Sequence, residues 1–193
     1  MQDDITAGVK YLIDQKIADP QRICIVGASY GGYAALWGLA KTPDLYKCGV
    51  SVAGVSHLQR MEYDGSDITH NAVAREIVRR ERGDPKDMAE TFDSVSPLRH
   101  ADQIKAPLLI VHGKLDERVP IAHGKKMRDA LLDLHKDVEW IEFPYEHHGV
   151  NLPEDQVVYY DALFKLLART IGKGDPPFPI AAAAPAPAAS AAP

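Results

Sequence analysis

A glycine-rich turn between an apolar run and a helical stretch is the feature that most limits how this chain can fold. The run Arg22–Val26 has the sequence RICIV, which is typical of a short strand. It leads directly into GASYGG at 27–32 and then into YAALWGLAK, whose residues favour a helix. The sequence therefore predicts a strand, a tight turn and a helix in immediate succession.

The rest of the chain continues this alternation. Strand-like runs occupy Lys47–Ala53, Pro107–Val111 and Asp137–Phe143. Helical patterns occupy 3–17, 121–135 and 154–171. Strands that alternate with helices predict an α/β fold in which helices cover both faces of a mostly parallel sheet. The longer and more charged segment 57–100 predicts helices and loops above the strand ends.

Composition limits the classes of protein that remain. With 193 residues, of which 46% are hydrophobic, the chain has room for one domain with a sizeable core. We assign this domain to 1–174 and expect the Ala- and Pro-rich tail, 175–193, to be disordered.

The net charge of -5, without a long basic run, argues against a nucleic-acid partner. No stretch suits a membrane span and MQDDITAGVK at 1–10 is unlike a secretory signal, so a soluble, cytoplasmic chain is favoured.

The turn contains a serine in a setting that suits a nucleophile. Gly27–Gly31 fits G-x-S-x-G, in which the two glycines let backbone segments pass closely and lift the Ser29 hydroxyl above the sheet. The amide of Tyr30, at the start of the next helix, is placed to donate to a developing oxyanion. A serine hydroxyl needs a base to remove its proton, so a histidine held by a carboxylate is expected further along the chain.

Two later strand ends supply the candidate acid and base. Asp116, with Glu117 beside it, follows the third predicted strand, where its carboxylate would face the same edge as Ser29. We choose Asp116 as the acid. His147 and His148 follow the fourth predicted strand at that edge, and one of the two imidazoles is expected to act as the base. The order Ser, Asp, His along the chain is typical of an α/β-hydrolase.

A metal site is the main alternative use of the same side chains. The candidate ligands are Glu146, His147, His148 and His123. No spacing matches HExxH or paired CxxC, and neighbouring histidines point in different directions. We therefore expect no metal.

The cysteines and the other histidines suggest packing and surface positions. Cys24 and Cys48 lie in apolar segments, which favours two buried thiols over a disulfide. Four histidines are expected on the surface or in loops: His57, His70, His100 and His135.

Four stretches of the chain together carry a family resemblance. They are GASYGGY at 27–33, VAGVSHLQRMEY at 52–63, SPLRHADQIKAPLLIVHGKLDERVP at 96–120 and FPYEHHG at 143–149. The chain resembles the prolyl oligopeptidase family of serine peptidases, and the acylaminoacyl-peptidase and dipeptidyl-peptidase-like branches are closer than the esterases. The resemblance implies the C-terminal part of an α/β-hydrolase domain, peptide-bond hydrolysis through an acyl-enzyme, and no cofactor.

The resemblance also implies a role for each candidate residue. Ser29 would be the nucleophile, Asp116 the orienting acid and His148 the base, because the family's histidine directly precedes a glycine in a pattern like E-G-H-G. This sequence has His147 where the family usually has glycine. The family would further place an apolar pocket for the residue before the cleaved bond at Tyr30, Val55, Leu58, Met61 and Val119.

Parts beyond the four predicted strands are implied as well. The family has an upstream half of the hydrolase sheet, preceded by a β-propeller, and the second oxyanion donor would lie in that upstream half. Loss of one such donor costs a factor of roughly 10² to 10³ in rate. The expected substrate is a short peptide. The alternatives are a carboxylesterase or lipase of the same fold, or a weakly active or inactive fragment that associates through its open edge strand at 22–26.

Overall fold

Four parallel strands form the centre of the structure, and helices pack on both sides. The strands are β1 (Cys24–Ala28), β2 (Cys48–Val52), β3 (Leu108–Gly113) and β4 (Val138–Phe143). The helices are α1 (Gln2–Asp14), α2 (Tyr30–Lys41), α3 (Leu58–Met61), α4 (Ala72–Arg82), α5 (Ala89–Ser94), a 3-10 helix (Pro97–Gln103), α6 (Ala122–Asp133) and α7 (Pro153–Thr170). This computed structural model describes residues 1–61, 72–83 and 87–172. The tail assigned to 175–193 and His70 lie outside the described residues.

The order of the strands in the sheet is β1-β2-β3-β4, and every neighbouring pair is parallel. Each connection contains at least one helix, as parallel neighbours require. The four strands occur where the apolar runs predicted them, which confirms the α/β architecture. Because the strands are parallel, their C-terminal ends lie at one edge of the sheet. The loops after β1, β3 and β4 bring Ser29, Asp116 and His148 to that edge.

Alternate residues of the central strands face opposite sides of the sheet and build two cores. On one side, Ile110 of β3 belongs to a buried cluster with Leu39 of α2 and Met127 of α6. On the other side, Leu109 belongs to a second cluster with Leu166 of α7. Close packing on both faces holds the strand ends, and the loops that follow them, in a fixed relation.

A disulfide joins β1, at one edge of the sheet, to its neighbour β2. Cys24 of β1 and Cys48 of β2 are direct partners in the parallel register, and their Cα atoms lie 4.7 Å apart. This distance is within the range that a disulfide spans. The expectation of two buried thiols is therefore wrong: the register between the strands places the two sulfurs face to face, and Cys24 is only partly buried.

The first helix differs in length and burial from its sequence pattern. The pattern predicts a helix over 3–17, whereas α1 ends at Asp14 and Lys16 has a left-handed φ of 57°. Leu12 and Ile17 are exposed, so the apolar face of α1 is only partly covered by the described chain. Among the described helices, we find none with the length and apolar character needed to span a bilayer.

Candidate active site

Ser29 occupies a strained turn between β1 and α2. Its φ of 57° and ψ of -119° lie outside the regions that residues other than glycine normally adopt. Its amide donates to the carbonyl of Val52 at 2.9 Å, and its carbonyl accepts from the amide of Tyr33 at 3.1 Å. The strand on one side and the first helical turn on the other thus hold the serine in this conformation.

Gly27 is the glycine that this turn requires. A Cβ atom on Gly27 would lie 2.3 Å from the carbonyl oxygen of Gly31, which is closer than any non-bonded contact permits. Gly31 itself has open space where a Cβ would point. The expectation that both glycines permit a close backbone approach therefore holds for Gly27 and is wrong for Gly31. The second close approach belongs to Gly32, where a Cβ would lie 2.7 Å from Gly54 Cα.

His148 is the histidine that meets the serine. Its Nε2 lies 2.8 Å from Ser29 Oγ, and its Nδ1 lies 2.9 Å from Asp116 Oδ2. Because a carboxylate can only accept, Nδ1 carries the proton and Nε2 is left to accept the serine proton. The side chain of His147 is exposed and makes none of these contacts. Of the two neighbouring imidazoles, only His148 is placed to take a proton from Ser29.

Asp116 is buried and surrounded by donors. Its Oδ1 accepts the amides of Arg118 and Val119, each at 2.9 Å, and its Oδ2 faces His148. Burial alone would raise the pKa of Asp116, but the hydrogen bonds from His112, Val119 and His148 outweigh it, so that its pKa lies below the usual value. The adjacent Glu117 is exposed to solvent. The carboxylate beside His148 is therefore ionised at neutral pH and fixed in direction.

The structure adds a second imidazole that our sequence analysis did not single out. His112 is the penultimate residue of β3 and is fully buried. Its Nε2 lies 3.4 Å from Asp116 Oδ2. The spacing of four residues between His112 and Asp116 is the only signal in the sequence. It is weak, because the contact depends on how the loop after β3 turns back on the strand.

The five residues assigned to a pocket all follow the C-terminal ends of strands. Tyr30 begins α2 with its side chain about half exposed, and its hydroxyl lies 3.6 Å from the sulfur of Met1. The residues after β2 are Val55, Leu58 and Met61, and each is partly buried. Val119, after β3, is almost completely buried beside Asp116. These residues therefore follow strand ends at the same edge of the sheet as Ser29.

The alternative metal ligands are engaged in separate contacts. Glu146 is buried, and its carboxylate accepts the amides of Asn151 and Leu152. His123 is buried in α6, where its Nδ1 accepts the amide of Ser56 at 3.3 Å. Within residues 1–61, 72–83 and 87–172, no three His, Cys, Asp or Glu side chains converge in a way that could hold a metal ion.

Comparison with known proteins assigns the family. The sequence profile of the prolyl oligopeptidase family matches residues 1–174. The chain belongs to this family. Dipeptidyl aminopeptidase BIII of Pseudoxanthomonas mexicana is 34% identical over 174 residues, which are 89% of this chain and 25% of that protein. The resemblance noted from the motifs is thereby confirmed.

Solved structures of acylaminoacyl peptidases share the fold. The acylaminoacyl peptidase of Pyrococcus horikoshii matches with a TM-score of 0.77 and 31% identity, over 92% of this chain and 29% of that one. An acylaminoacyl peptidase in complex with Z-Gly-Gly-Phe-chloromethyl ketone matches with a TM-score of 0.78 and 31% identity, over 92% and 28%. The fold is thus that of the α/β-hydrolase peptidases. The chain spans about a quarter of the length of the relatives that it matches.

Proposed function

We propose that this chain carries the catalytic triad of a serine peptidase that hydrolyses short peptides through an acyl-enzyme. The observation that carries the proposal is the continuous series of contacts from Ser29 Oγ to His148 Nε2 at 2.8 Å and from His148 Nδ1 to Asp116 at 2.9 Å. Nucleophile, base and orienting acid have this arrangement in serine hydrolases on several unrelated folds.

The geometry supports a defined sequence of proton transfers. Ser29 Oγ attacks the carbonyl carbon of the scissile bond while its proton passes to His148 Nε2. Asp116 stabilises the imidazolium that forms. We assign the contact with the oxyanion to the amide of Tyr30, because it is the first residue of α2 and the first amides of a helix have no partner within the helix. His148 then gives the proton to the leaving amine, and a water molecule repeats the sequence to release the acid.

The apolar residues near Ser29 support a preference for peptides with an apolar residue before the cleaved bond. We assign this pocket to the five residues named above, Tyr30, Val55, Leu58, Met61 and Val119. One related acylaminoacyl peptidase has been solved with Z-Gly-Gly-Phe-chloromethyl ketone, a blocked peptide that ends in phenylalanine. A blocked tripeptide with a terminal Phe is therefore the first substrate to test.

Labelling with a fluorophosphonate probe tests the triad directly. We expect the folded wild-type chain to be labelled, Ser29→Ala to remain unlabelled, and His148→Ala to react at least roughly 100-fold more slowly. His147→Ala is the matched control, since its side chain is exposed, and its rate is expected to stay within about threefold of wild type. A folded wild-type chain that does not react, or equal losses in the two histidine variants, would contradict the proposal.

A pair of substrates separates peptidase from esterase. The p-nitroanilide and the p-nitrophenyl ester of the same blocked Phe peptide use the same acyl-enzyme and differ only in the leaving group. Cleavage of both is expected. Cleavage of the ester alone would contradict the proposed peptidase activity and favour the esterase alternative.

A further inference from the structure

A second buried imidazole lies against the carboxylate of the proposed triad. His112 is fully buried, and its Nε2 is 2.8 Å from the carbonyl oxygen of Val119 and 3.4 Å from Asp116 Oδ2. A carbonyl oxygen can only accept, so Nε2 must carry the hydrogen. The N–H donates to the Val119 carbonyl, and Asp116 Oδ2 lies beside the same nitrogen at the longer distance.

The other side of the His112 ring is closed by helix α6. A Cβ atom on Gly124 would lie 2.8 Å from His112 Nδ1, so the ring packs directly against the backbone of this helix. Nδ1 has no hydrogen-bond partner among the residues that the structure describes. A proton on Nδ1 would be buried without an acceptor, which favours the tautomer with its hydrogen on Nε2. Packing and tautomer together hold the Nε2 hydrogen on the Val119 carbonyl and close to Asp116 Oδ2.

Val119 is shared between His112 and Asp116. Its carbonyl accepts from His112, while its amide donates to Asp116 Oδ1 at 2.9 Å. The His112 imidazole thus binds the Val119 turn, whose amide donates to Asp116 Oδ1. The same imidazole also lies near Asp116 Oδ2. With His148 on Oδ2, both carboxylate oxygens of Asp116 accept a hydrogen bond.

We propose that His112 is a positioning residue, which holds the carboxylate of Asp116 in the direction that orients His148 toward Ser29. This inference rests on the proposed function. The resulting position of Asp116 keeps Nδ1 of His148 protonated and Nε2 free to accept the serine proton. The low pKa of Asp116, to which the contact with His112 contributes, agrees with this arrangement.

Two substitutions that differ by one methylene test the proposal. In His112→Gln the side-chain amide reaches the position of Nε2, whereas in His112→Asn it is too short to reach Val119 and Asp116. We expect His112→Asn to lower the plateau rate of fluorophosphonate labelling at Ser29 about tenfold, which corresponds to the loss of about one hydrogen bond. The Gln variant is expected to stay within about threefold of wild type.

The pH profile of labelling distinguishes positioning from mere structural support. Without the Nε2 hydrogen beside Oδ2, more of the negative charge on Asp116 faces His148, which favours the imidazolium. The acid limb of the labelling rate should therefore move to higher pH in His112→Asn and return in His112→Gln. Equal profiles in both variants and wild type would overturn the proposal. A loss of labelled fraction without a change in midpoint, as general destabilisation produces, would overturn it too.

A spectroscopic readout keeps this inference separate from the proposed function. The proton on His148 Nδ1 should give a far-downfield NMR signal because it is shared with a buried carboxylate. We expect this signal in wild type and His112→Gln, and its loss or upfield movement in His112→Asn, whether or not the chain reacts with the probe. An unreactive wild type would contradict the proposed function alone, and an unchanged signal in His112→Asn would contradict the role of His112. If the Asn variant does not fold, His112→Leu is measured in its place.

Discussion

Three histidines near the candidate site are buried, and each has different partners. These are His57, His112 and His123. His57 lies in a loop, as one of the two expectations had it, but its side chain is buried and not on the surface, because its ring packs beside Asp93, with Nε2 and Oδ1 3.3 Å apart. For His123, burial and the neighbouring His112 and His57 lower the pKa to about 4. A neutral imidazole in α6 is thus part of the folded state at neutral pH.

His123 makes the stability depend on pH in a defined window. Its pKa is lowered from 6.5 to about 4 on folding, so the unfolded chain binds more protons between these values. The contribution of neutral His123 to the free energy of unfolding is therefore fully present above pH 6.5. It is lost as the pH falls toward 4, and the loss from this group is about 3 kcal/mol. His123→Asn keeps an acceptor for the Ser56 amide but cannot titrate. We expect urea unfolding between pH 7 and 4 to show a loss that is larger by about this amount in wild type than in the variant, and parallel curves would contradict this.

The residues of the candidate site differ in how far they follow from sequence. Ser29 could be placed because its turn is set by adjacent residues, with a glycine two positions before it. Asp116 and Glu117 are equivalent as residue types. Only the return of the loop onto β3 buries the first and exposes the second. His112 could not be found, since a histidine within an apolar strand shows no sign of the carboxylate that approaches it after a turn.

The segment between β4 and α7, residues 144–152, is held by Glu146. Its carboxylate accepts the amides of Asn151 and Leu152, where α7 begins, and its carbonyl accepts the amide of Leu115 at 3.0 Å. A Cβ on Gly113 would lie 2.3 Å from that carbonyl oxygen, so the loops after β3 and β4 touch through their backbones. The loops that carry Asp116 and His148 are therefore coupled.

Glu146→Gln should loosen this segment. The charged acceptor that holds two backbone amides at the start of α7 is lost, and hydrogen bonds to charged groups contribute about 1.5–3 kcal/mol. We expect a loss of this size in the free energy of unfolding at pH 7, together with slower labelling of Ser29. Glu117→Gln is the matched control, because Glu117 is exposed in the neighbouring loop, and its effect should stay within about 0.5 kcal/mol. Equal stabilities of the two variants would contradict the role of Glu146.

Strands and helices were predictable as elements, but their mutual positions were not. Periodicity and β-branched residues indicate each strand locally, which is why β3 and β4 occur where expected. The disulfide between Cys24 and Cys48 depends on the register of β1 against β2, and no local pattern encodes it. Likewise α1 ends before Ile17 although the apolar spacing continues to that residue, and Ile17 is exposed.

The two edges of the sheet differ in their protection. Among the described strands, β4 pairs only with β3 and so forms one edge of the sheet. It carries Glu139, which pairs with Arg169, and Glu142, which pairs with Lys125. At the other edge β1 pairs only with β2 among the described strands, and its sequence CIVGA contains no charge. Charged side chains on an edge strand oppose pairing with another chain, whereas an apolar edge permits it. The molecule as described is therefore asymmetric, with one edge open to association.

This asymmetry predicts that the 193-residue chain associates through β1. Val26 lies at the centre of this edge strand and is 46% exposed, so Val26→Lys adds a charge where a second chain would approach. In sedimentation velocity at roughly 100 μM we expect oligomers for wild type and monomers for Val26→Lys. Val157→Lys adds the same charge at an exposed position of α7 and should leave the oligomers intact. A monomeric wild type, or dissociation by both substitutions, would show that the open edge does not direct association.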